Sequence, residues 1–596
     1  MARPAYSGDK RSLALAFDIG TTFSGVSYVL LDPGEVPKIK SVMRFPSQAL
    51  TSSKIPSTMW YDSSGKARSF GAEATLSGTI DQAEAEGWAR LDWWKLNLAP
   101  TALCKKLPAG YAPALPHGLT IVDVFADFMH YLFACAETYF KESHALGEYV
   151  WDSVKEDIIF ILSHPNGWGG IEQVNMRRAA VKAKLIPDTI EGHDRVRFVT
   201  EGEASFNFCV NNGISGDAIK VGKDVIVIDA GGGTIDISGY AVESQNPLRV
   251  EEIFAPECRL LGATTVTRKA REFIKDRLKH SRFGSEDIIN HMTQCFDEST
   301  KRLFKSIDEV SCIQFGSPDE KAPALGIQRG KMKLTGPEVA AFFEESIDGA
   351  VDAIELHLNS LNLNDTAVLL VGGFGESPWL FQRLRSRLED LGLSLSRPDA
   401  VQTSKAVAQG AIAFFLDGIV KSRVSRFKYG IEACVHYNPY DPQHAERSSQ
   451  AFFGVDGAKR LPGAFSTILD EGYQSVRVSE TEEFRKAYSY ISTSRQCLDE
   501  IDDTIKAYKG SSQDPRWIDS EPASFFNLCT VSADTSRVPK PKVKNPIGSH
   551  YKVDYEVALL FGLTELKAQL VWTENGVEKR GQAEIVYDET QGCAEM

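Results

Sequence analysis

A pattern that occurs twice constrains the fold of this chain more than any other feature. In residues 13–31, an apolar strand ends at Asp18, a turn of glycine and threonine follows, and a second strand begins. Residues 225–241 repeat this plan, with Asp229 at the end of the first strand and three consecutive glycines in the turn. Internal similarity of this kind indicates two structurally related halves, each built on a β-hairpin.

The glycines and threonines of these two turns favour the binding of a phosphate group. Glycine has no Cβ, so the backbone N–H groups can approach an anion closely, and threonine hydroxyls add further donors. Consecutive glycines weaken a strand pair, and they often mark the close approach of a ligand. We therefore expect the two turns to grip a polyphosphate from both sides through Gly20, Thr21, Thr22, Gly231, Gly232, Gly233 and Thr234.

The two aspartates cannot themselves attract phosphate, because both groups are anions. Mg²⁺ is usually held in proteins by one or two carboxylates together with several waters. We therefore expect Asp18 and Asp229 to position a magnesium ion beside the phosphates. The P-loop pattern GxxxxGK[ST] is absent, so a nucleotide would be bound in a different way.

A third glycine turn follows another apolar strand. Residues 367–371 are a buried-type strand, Gly372 and Gly373 come next, and an amphipathic helix follows. Beside the two hairpins, this turn predicts a floor for a nucleoside. After residue 416 the composition shifts to a basic connector at 421–428 and then to short alternating runs, which predict a β-rich domain at about 429–590.

Composition excludes several classes of function. The net charge of −14 argues against a protein that binds nucleic acid or a membrane surface. The N-terminus has no apolar region, so we expect no secretory signal, and residues 1–12 are expected to be a disordered lead. The ten cysteines form no CxxC pair. Together these features predict a reduced, cytoplasmic protein, with a nuclear location left open.

Three segments resemble motifs of the 70-kDa heat-shock protein family. Residues 17–24, 229–236 and 370–377 are similar to its first phosphate motif, its second phosphate motif and its adenosine motif, in the same order. The resemblance covers roughly residues 13–420 and is greatest to the atypical twelve-type branch and its fungal relatives. It implies an α/β fold of the actin-like (ribonuclease H-like) ATPase class, with MgATP in a cleft between two lobes. Lobe I would be residues 13–212 and 396–420, and lobe II residues 213–395.

The resemblance also implies roles for further residues. Lys95 is the residue expected to reach the γ-phosphate, and Glu201 with Asp236 is expected to orient the attacking water. Thr234, which is expected to hold the phosphates, completes the implied catalytic set. The implied nucleotide contacts beyond the two turns are Phe23, Gly262, Glu298, Lys301, Arg302, Gly372, Gly373, Phe374 and Glu376.

Two departures from the family pattern bear on function. Gly202-Glu203 stands where the family has Pro-Thr, and Glu376 stands where the family offers an arginine that stacks on the base. A carboxylate cannot stack as a guanidinium does. We therefore expect weakened nucleotide affinity and altered signalling between the lobes.

The resemblance implies slow hydrolysis of ATP to ADP and phosphate. The nucleotide state would gate a C-terminal domain that binds unfolded peptides, co-chaperones or another protein. Two alternatives stay open at this point. One is a nucleotide-binding scaffold without hydrolysis, which the residues at 203 and 376 favour. The other is a small-molecule kinase of the same fold, although no substrate pocket is evident in the sequence.

Overall fold

The computed structural model describes residues 3–100, 112–212, 214, 216–362, 365–398, 405–425, 427–470, 482–562, 565–581 and 584–585. The chain forms two compact units. The N-terminal unit comprises residues 1–168 and 175–419, and the C-terminal unit comprises residues 169–174 and 420–596.

One sheet of the N-terminal unit is built around the first hairpin, whose two strands pair in antiparallel register over residues 12–19 and 24–31. Further strands add in parallel on the other side of the first strand. Parallel neighbours need long crossover connections, which usually contain helices. The order across the sheet is Lys40–Ser41, Phe23–Leu31, Ser12–Ile19, Ile159–His164 and Val196–Thr200, and Ile55–Pro56 pairs with Phe23–Leu31.

Both faces of this first sheet are buried. Along Ser12–Ile19, the large odd-numbered side chains pack in a core with helix Ile121–Ser143. The even-numbered alanines on the other face pack with helix Ala406–Asp417. A strand covered on both faces reads as a continuous apolar run, which is why this segment was recognisable in the sequence.

A second sheet repeats the same arrangement around the second hairpin. Residues 224–230 pair in antiparallel register with residues 235–241, and Thr366–Val371 adds in parallel on the other side. The described order is Ser394–Ser396, Thr366–Val371, Asp224–Ala230, Ile235–Gln245 and Leu248–Glu252, and Glu257–Arg259 pairs with Ile235–Gln245. The two sheets therefore share one plan, as the repeated pattern predicts.

Helix Gly336–Glu355 belongs to the apolar core of this second sheet. The sequence pattern predicts a helix over 339–358, so the observed start is three residues earlier. The Thr335 hydroxyl accepts the Glu338 N–H, and the Glu338 carboxylate accepts the Thr335 N–H. This reciprocal capping satisfies two of the free donors at the helix start.

The described part of the chain up to residue 422 contains further helices and strands. The helices are Ser77–Glu86, Gly147–Val154, Gly170–Lys182, Ile190–His193, Glu201–Asn211, Ala263–Leu278, Glu286–Cys295, Lys301–Leu303 and Pro378–Asp390. The strands are Met59–Tyr61, Ala67–Phe70, Ala89–Leu91, Ser311–Gln314, Ile327–Gln328, Lys331–Leu334 and Val420–Ser422.

The C-terminal unit is rich in β-strands, and its two sheets share an apolar core. One sheet has the order Phe452–Phe453, Lys459–Leu469, Lys428–His436, Glu500–Tyr508 and Phe525–Asp534. The other has the order Glu482–Ser492, Gly548–Gly562, Glu565–Glu574 and Val577–Arg580, with Lys542–Asn545 and Glu584–Ile585 at its sides. A short helix spans Pro442–Glu446. The predicted fold class, a two-lobed α/β region followed by a β-rich region, is confirmed.

Local predictions in the C-terminal unit differ in accuracy. Asn575 and Gly576 have φ values of 53° and 80° and join two antiparallel strands, as the Asn-Gly signal predicts. The Pro- and Lys-rich composition of residues 532–549 predicts a loop, but Lys542–Asn545 pairs with the strand that follows it. The alternating pattern also predicts a strand over residues 583–587, of which Ala583 and Tyr587 lie outside the described residues.

The N-terminal lead differs from the expected disordered segment over residues 3–11. The Arg3 guanidinium donates to both carboxylate oxygens of Asp417 at 2.7 Å. The Tyr6 N–H donates to the Glu35 carbonyl oxygen at 2.8 Å. A bidentate arginine–carboxylate pair gives geometric specificity, so these contacts hold the lead against the N-terminal unit. Among the described residues, no helix is both long and apolar enough to cross a membrane.

Helix Ala406–Asp417 crosses the helix that begins at Glu201 at a point where only glycine fits. An ideal Cβ on Gly410 would lie 1.8 Å from the carbonyl oxygen of Ala204. We expect Gly410→Ala to push the helices apart and to lower the free energy of unfolding by about 1–3 kcal/mol, measured by urea denaturation. Gly78→Ala is the matched control, because its added Cβ meets no atom within 4 Å. Equal losses in both variants would contradict this explanation.

Candidate functional site

The two hairpin turns meet each other in the N-terminal unit. We call residues 20–22 the first bend and residues 231–234 the second bend. An ideal Cβ on Gly232 would lie 2.2 Å from Thr22 Oγ1, and one on Gly233 would lie 2.3 Å from Thr21 Oγ1. The two lobes therefore touch through their bends, and the contact requires glycine at both positions.

A cavity of about 410 Å³ lies where the bends meet. A cavity of this volume is within the usual range for a small-molecule ligand. Its lining includes Asp18, Gly20, Thr21, Thr22, Phe23, Lys95, Glu201, Asp229, Gly231, Gly232, Gly233, Thr234, Lys301, Arg302, Gly372, Gly373, Phe374 and Glu376, all singled out from the sequence. The other lining residues are Ser52, Lys54, Ala263, Asp297, Ser377 and Val407.

Three candidate residues lie outside this lining. Gly262 supports the second bend from behind, because its N–H donates to the Gly233 carbonyl oxygen at 3.1 Å. Glu298 points its carboxylate at Gln294, which donates to it at 2.8 Å. Asp236 is buried and lies directly opposite Asp229, its register partner on the neighbouring strand.

The third glycine turn, residues 372–376, closes against the second hairpin. Gly372 has a φ of 84°, which favours glycine. A Cβ there would lie 2.4 Å from both the Ala230 carbonyl oxygen and Asp229 Oδ1. This close approach explains why residue 372 is a glycine. Glu376, which stands in the place of the expected stacking arginine, lies in the cavity lining.

Asp18 has a partner that the sequence reasoning missed. The Lys54 ammonium group forms an ion pair with Asp18 Oδ2, and the two side chains are 17% and 6% exposed. Strand Ile55–Pro56 pairs with Phe23–Leu31 and carries Lys54 to the cavity. Lys54 follows two serines and has no apolar periodicity or charge pattern around it, so no signal in the sequence marked it.

Lys95 and Glu201 form a buried ion pair at 2.6 Å, with side chains only 3% and 10% exposed. The Lys95 ammonium also lies 5.2 Å from the centroid of the Trp168 ring. The neighbouring Trp94 fixes this segment, because its indole N–H donates to the Ser57 carbonyl oxygen at 2.8 Å. The lysine beside two tryptophans is therefore part of the cavity wall and not a surface lysine.

Asp229 and Asp236 are buried acids in a group of carboxylates. Burial, followed by the negative charge of Glu201, raises the pKa of Asp229 well above its usual range. The same two causes raise the pKa of Asp236. The Ser205 hydroxyl donates to Asp229 at 2.5 Å, and the Asn166 N–H donates to Asp236 at 2.7 Å. A cation near these groups would stabilise their ionised forms.

The departure at Gly202 has a structural cause. The Gly202 N–H donates to Asn166 Oδ1 at 3.2 Å, and a Cβ on this residue would lie 2.3 Å from Ser238 Oγ. Proline has no N–H and carries a ring, so it would lose the hydrogen bond and clash with Ser238. Thus Asn166, which also holds Asp236, occupies the space that the family's proline would need.

Lys301 lies at the end of the cavity with Asp297 and not with the expected Glu298. Its ammonium group pairs with Asp297 and donates to Thr267 Oγ1 at 3.0 Å. Burial lowers the pKa of Lys301. The chain makes a π-helical turn over Phe296–Thr300. Such turns often occur at functional sites, and Asp297, within this turn, lines the cavity.

Arg302 and Phe23, which both line the cavity, lie next to each other. The guanidinium carbon of Arg302, from lobe II, lies 5.9 Å from the ring centroid of Phe23, from lobe I. This distance is within the range of a cation–π contact. The pair therefore bridges the two lobes beside the cavity.

The two predicted metal residues fit magnesium held mainly through water. Asp18 and Asp229 both line the cavity, which agrees with the usual one or two carboxylates of a magnesium site. Within the described residues, no group of three or more His, Cys, Asp or Glu side chains could hold a metal ion directly. Waters and ligand oxygens would therefore have to complete the coordination.

Comparison with known proteins agrees with the motifs. No protein-family model matches the chain. It is 22% identical to heat shock 70 kDa protein 12A of Homo sapiens over 510 residues, covering 71% of this chain and 72% of that protein. The Mus musculus protein gives 22% over 507 residues with the same coverage. Heat shock 70 kDa protein 12B of Homo sapiens is 20% identical over 650 aligned positions, covering 94% and 89%. The chain is therefore similar to divergent 70-kDa heat-shock proteins.

This heat-shock-70-like chain is similar to the twelve-type proteins, as the motifs indicate. The three relatives are human and mouse proteins, so they do not bear on the expected fungal branch. The low identity to these relatives agrees with the changes at Gly202 and Glu376. The residues of the two bends nevertheless meet at one cavity.

The buried pair between Lys95 and Glu201 gives a stability prediction. Removing one partner of a buried ion pair leaves the other charge uncompensated, so we expect Lys95→Met to lower the free energy of unfolding by about 3–5 kcal/mol. Adding Glu201→Gln should recover most of this loss, because no buried charge is then left unpaired. Urea denaturation measures both values.

The control is Lys182→Met. Lys182 pairs with Asp123 away from the cavity, and its side chain is 60% exposed. Loss of such a pair should change the stability by at most about 1 kcal/mol. If the double variant proved no more stable than Lys95→Met, the pair would not be the cause.

Proposed function

We propose that this chain binds a nucleoside triphosphate with Mg²⁺ in the cavity and hydrolyses it slowly to the diphosphate and phosphate. One observation carries the proposal. Two glycine–threonine bends, one from each lobe, touch each other and line a single cavity with an aspartate behind each. Such bends offer backbone and hydroxyl donors to phosphate oxygens, and the relatives named heat shock 70 kDa proteins support this reading.

The phosphate chain would be held by the two bends. Thr21 and Thr22 supply hydroxyl donors from lobe I, and the second bend supplies Thr234 and its backbone N–H groups from lobe II. The carbonyl oxygens of Gly231, Gly232 and Gly233 already accept N–H groups from residues 262–264, so they need not face an anion. Asp18 and Asp229 would hold Mg²⁺ through water. When bound, Mg²⁺ would neutralise charge on the phosphate oxygens.

Lys95, Glu201 and Asp236 would serve the hydrolytic step. Phosphoryl transfer needs little covalent chemistry from the protein, so positioning and charge are sufficient. Lys95 would stabilise negative charge on the terminal phosphate, and Glu201, its partner at 2.6 Å, would hold the attacking water. Asp236 lies outside the cavity lining and would help Glu201 to orient the attacking water through the hydrogen bonds around it.

The nucleoside would lie between the third glycine turn and the turn that carries Lys301. Gly372, Gly373 and Phe374 would form the floor, and Lys301 with Arg302 would contact base and ribose. Glu376 replaces the stacking guanidinium expected here, so we propose a modest affinity. A nucleotide-gated C-terminal unit that binds peptides, co-chaperones or another protein is part of the same proposal.

A scaffold that binds nucleotide without hydrolysis is the second candidate. The observation in its favour is that Lys54 and Lys95 are already engaged by carboxylates. Each must exchange its partner before it can act on a phosphate. A scaffold predicts a rise in the melting temperature with MgATP but no phosphate release.

Phosphate release from the purified full-length protein tests the proposed function. We expect slow release from MgATP alone, and we expect Asp229→Ala and Lys95→Met each to lower kcat by at least about 10²–10³-fold, the usual effect of removing one charge-stabilising group. Lys182→Met is the matched control and should keep the wild-type rate.

Two outcomes of this assay would separate the alternatives. A shift in melting temperature without phosphate release would favour the scaffold, and phosphate transfer only in the presence of a sugar would favour a kinase. The absence of any shift or heat with MgATP would remove the proposed function. Unchanged turnover in Asp229→Ala or Lys95→Met would remove the role assigned to that residue.

A further inference from the structure

Lys54 places a positive charge where the sequence predicts a metal. Its ammonium group pairs with Asp18, one of the two carboxylates expected to hold Mg²⁺. Both side chains are largely buried, at 17% and 6% exposure, and both line the cavity. A lysine ammonium group is a compact point charge that binds phosphate well.

The surroundings hold the Lys54 backbone firmly in this position. The Lys54 carbonyl oxygen accepts the Gln48 side-chain amide at 2.7 Å, and its N–H donates to Ser52 Oγ at 3.2 Å. Three residues further, the Ser57 N–H donates to the Thr22 carbonyl oxygen at 2.9 Å, and the Ser57 hydroxyl donates to the Gly20 carbonyl oxygen at 2.7 Å. The segment is thus bonded directly to the first bend.

The side chain of Lys54 also packs closely over Gly25. Gly25 lies under its stem, and a Cβ on this glycine would lie 3.3 Å from Lys54 Cδ and 2.4 Å from the Ser53 carbonyl oxygen. A larger residue at position 25 would displace this segment. The Lys54 side chain is therefore packed over Gly25, and this packing directs its ammonium group to Asp18.

We propose that Lys54 acts as a built-in cation at the Asp18 position, so that nucleotide phosphates bind with little dependence on a divalent metal. This inference rests on the nucleotide binding proposed above and adds a phosphate-binding residue to that site. A tethered ammonium group is present at any metal concentration. On entry of the phosphates, it would exchange part of its contact with Asp18 for a phosphate oxygen, and no covalent step is involved.

The test measures the Kd of ADP and ATP for the full-length protein by calorimetry, once in excess EDTA and once in excess Mg²⁺. For each protein the quantity of interest is the ratio of the Kd in EDTA to the Kd in Mg²⁺. We expect Lys54→Met to raise this ratio by about ten- to hundredfold, the usual contribution of one charge-assisted hydrogen bond. Lys54→Arg keeps the charge and should stay close to the wild-type ratio, as should the control Lys182→Met.

A second variant pair guards against a folding defect. Lys54→Met leaves Asp18 buried without its partner, whereas Lys54→Met with Asp18→Asn leaves no unpaired charge. In EDTA, we expect the double variant to bind ADP about tenfold or more weakly than Asp18→Asn alone. Equal affinities would mean that Lys54 only neutralises Asp18, and the proposal would be overturned.

The outcomes also separate this inference from the proposed function. If the wild-type protein binds nucleotide but Lys54→Met has the wild-type ratio, the inference alone is wrong. If the wild-type protein binds neither nucleotide in Mg²⁺, the proposed function fails and the inference fails with it. Melting curves without nucleotide confirm that each variant is folded before titration.

Discussion

Direct contact between two glycine–threonine bends is the constraint on which the rest of this site depends. Gly232 and Gly233 lie so close to Thr22 and Thr21 that a Cβ on either glycine would meet a threonine side chain at less than 2.4 Å. Larger residues there would force the lobes apart and separate the acids behind the bends. The cavity thus exists in this form because one lobe contributes threonines and the other contributes bare backbone.

Charge pairing is the second constraint. Each lysine of the cavity lining has a carboxylate within ion-pair distance: Lys54 with Asp18, Lys95 with Glu201, and Lys301 with Asp297. A buried charge without a partner costs several kcal/mol, so these pairs let a charged cavity exist inside the protein. Asp229 differs, because its closest partner is the Ser205 hydroxyl. Its carboxylate is therefore the natural place for an added cation to act.

Much of the fold and most of the cavity lining could be predicted, because both follow from local patterns. Apolar strands covered on both faces read as continuous apolar runs, and glycine turns mark the close approaches later seen at Gly232 and Gly372. Other features could not be predicted in this way. The π-helical turn that contains Asp297 and Glu298 leaves no mark in the periodicity, and Arg3 meets Asp417 only after the chain has folded back.

The sequence by itself determined the two hairpins, the acid at the end of each first strand and the glycines of each bend, since these depend on neighbours within a few residues. Only the tertiary structure decided which charges meet. Lys95 and Glu201 are 106 positions apart, and Lys54 and Asp18 are 36 apart. Such pairs depend on how crossover connections return the chain to the sheet, and side-chain charge alone does not specify a partner at that separation.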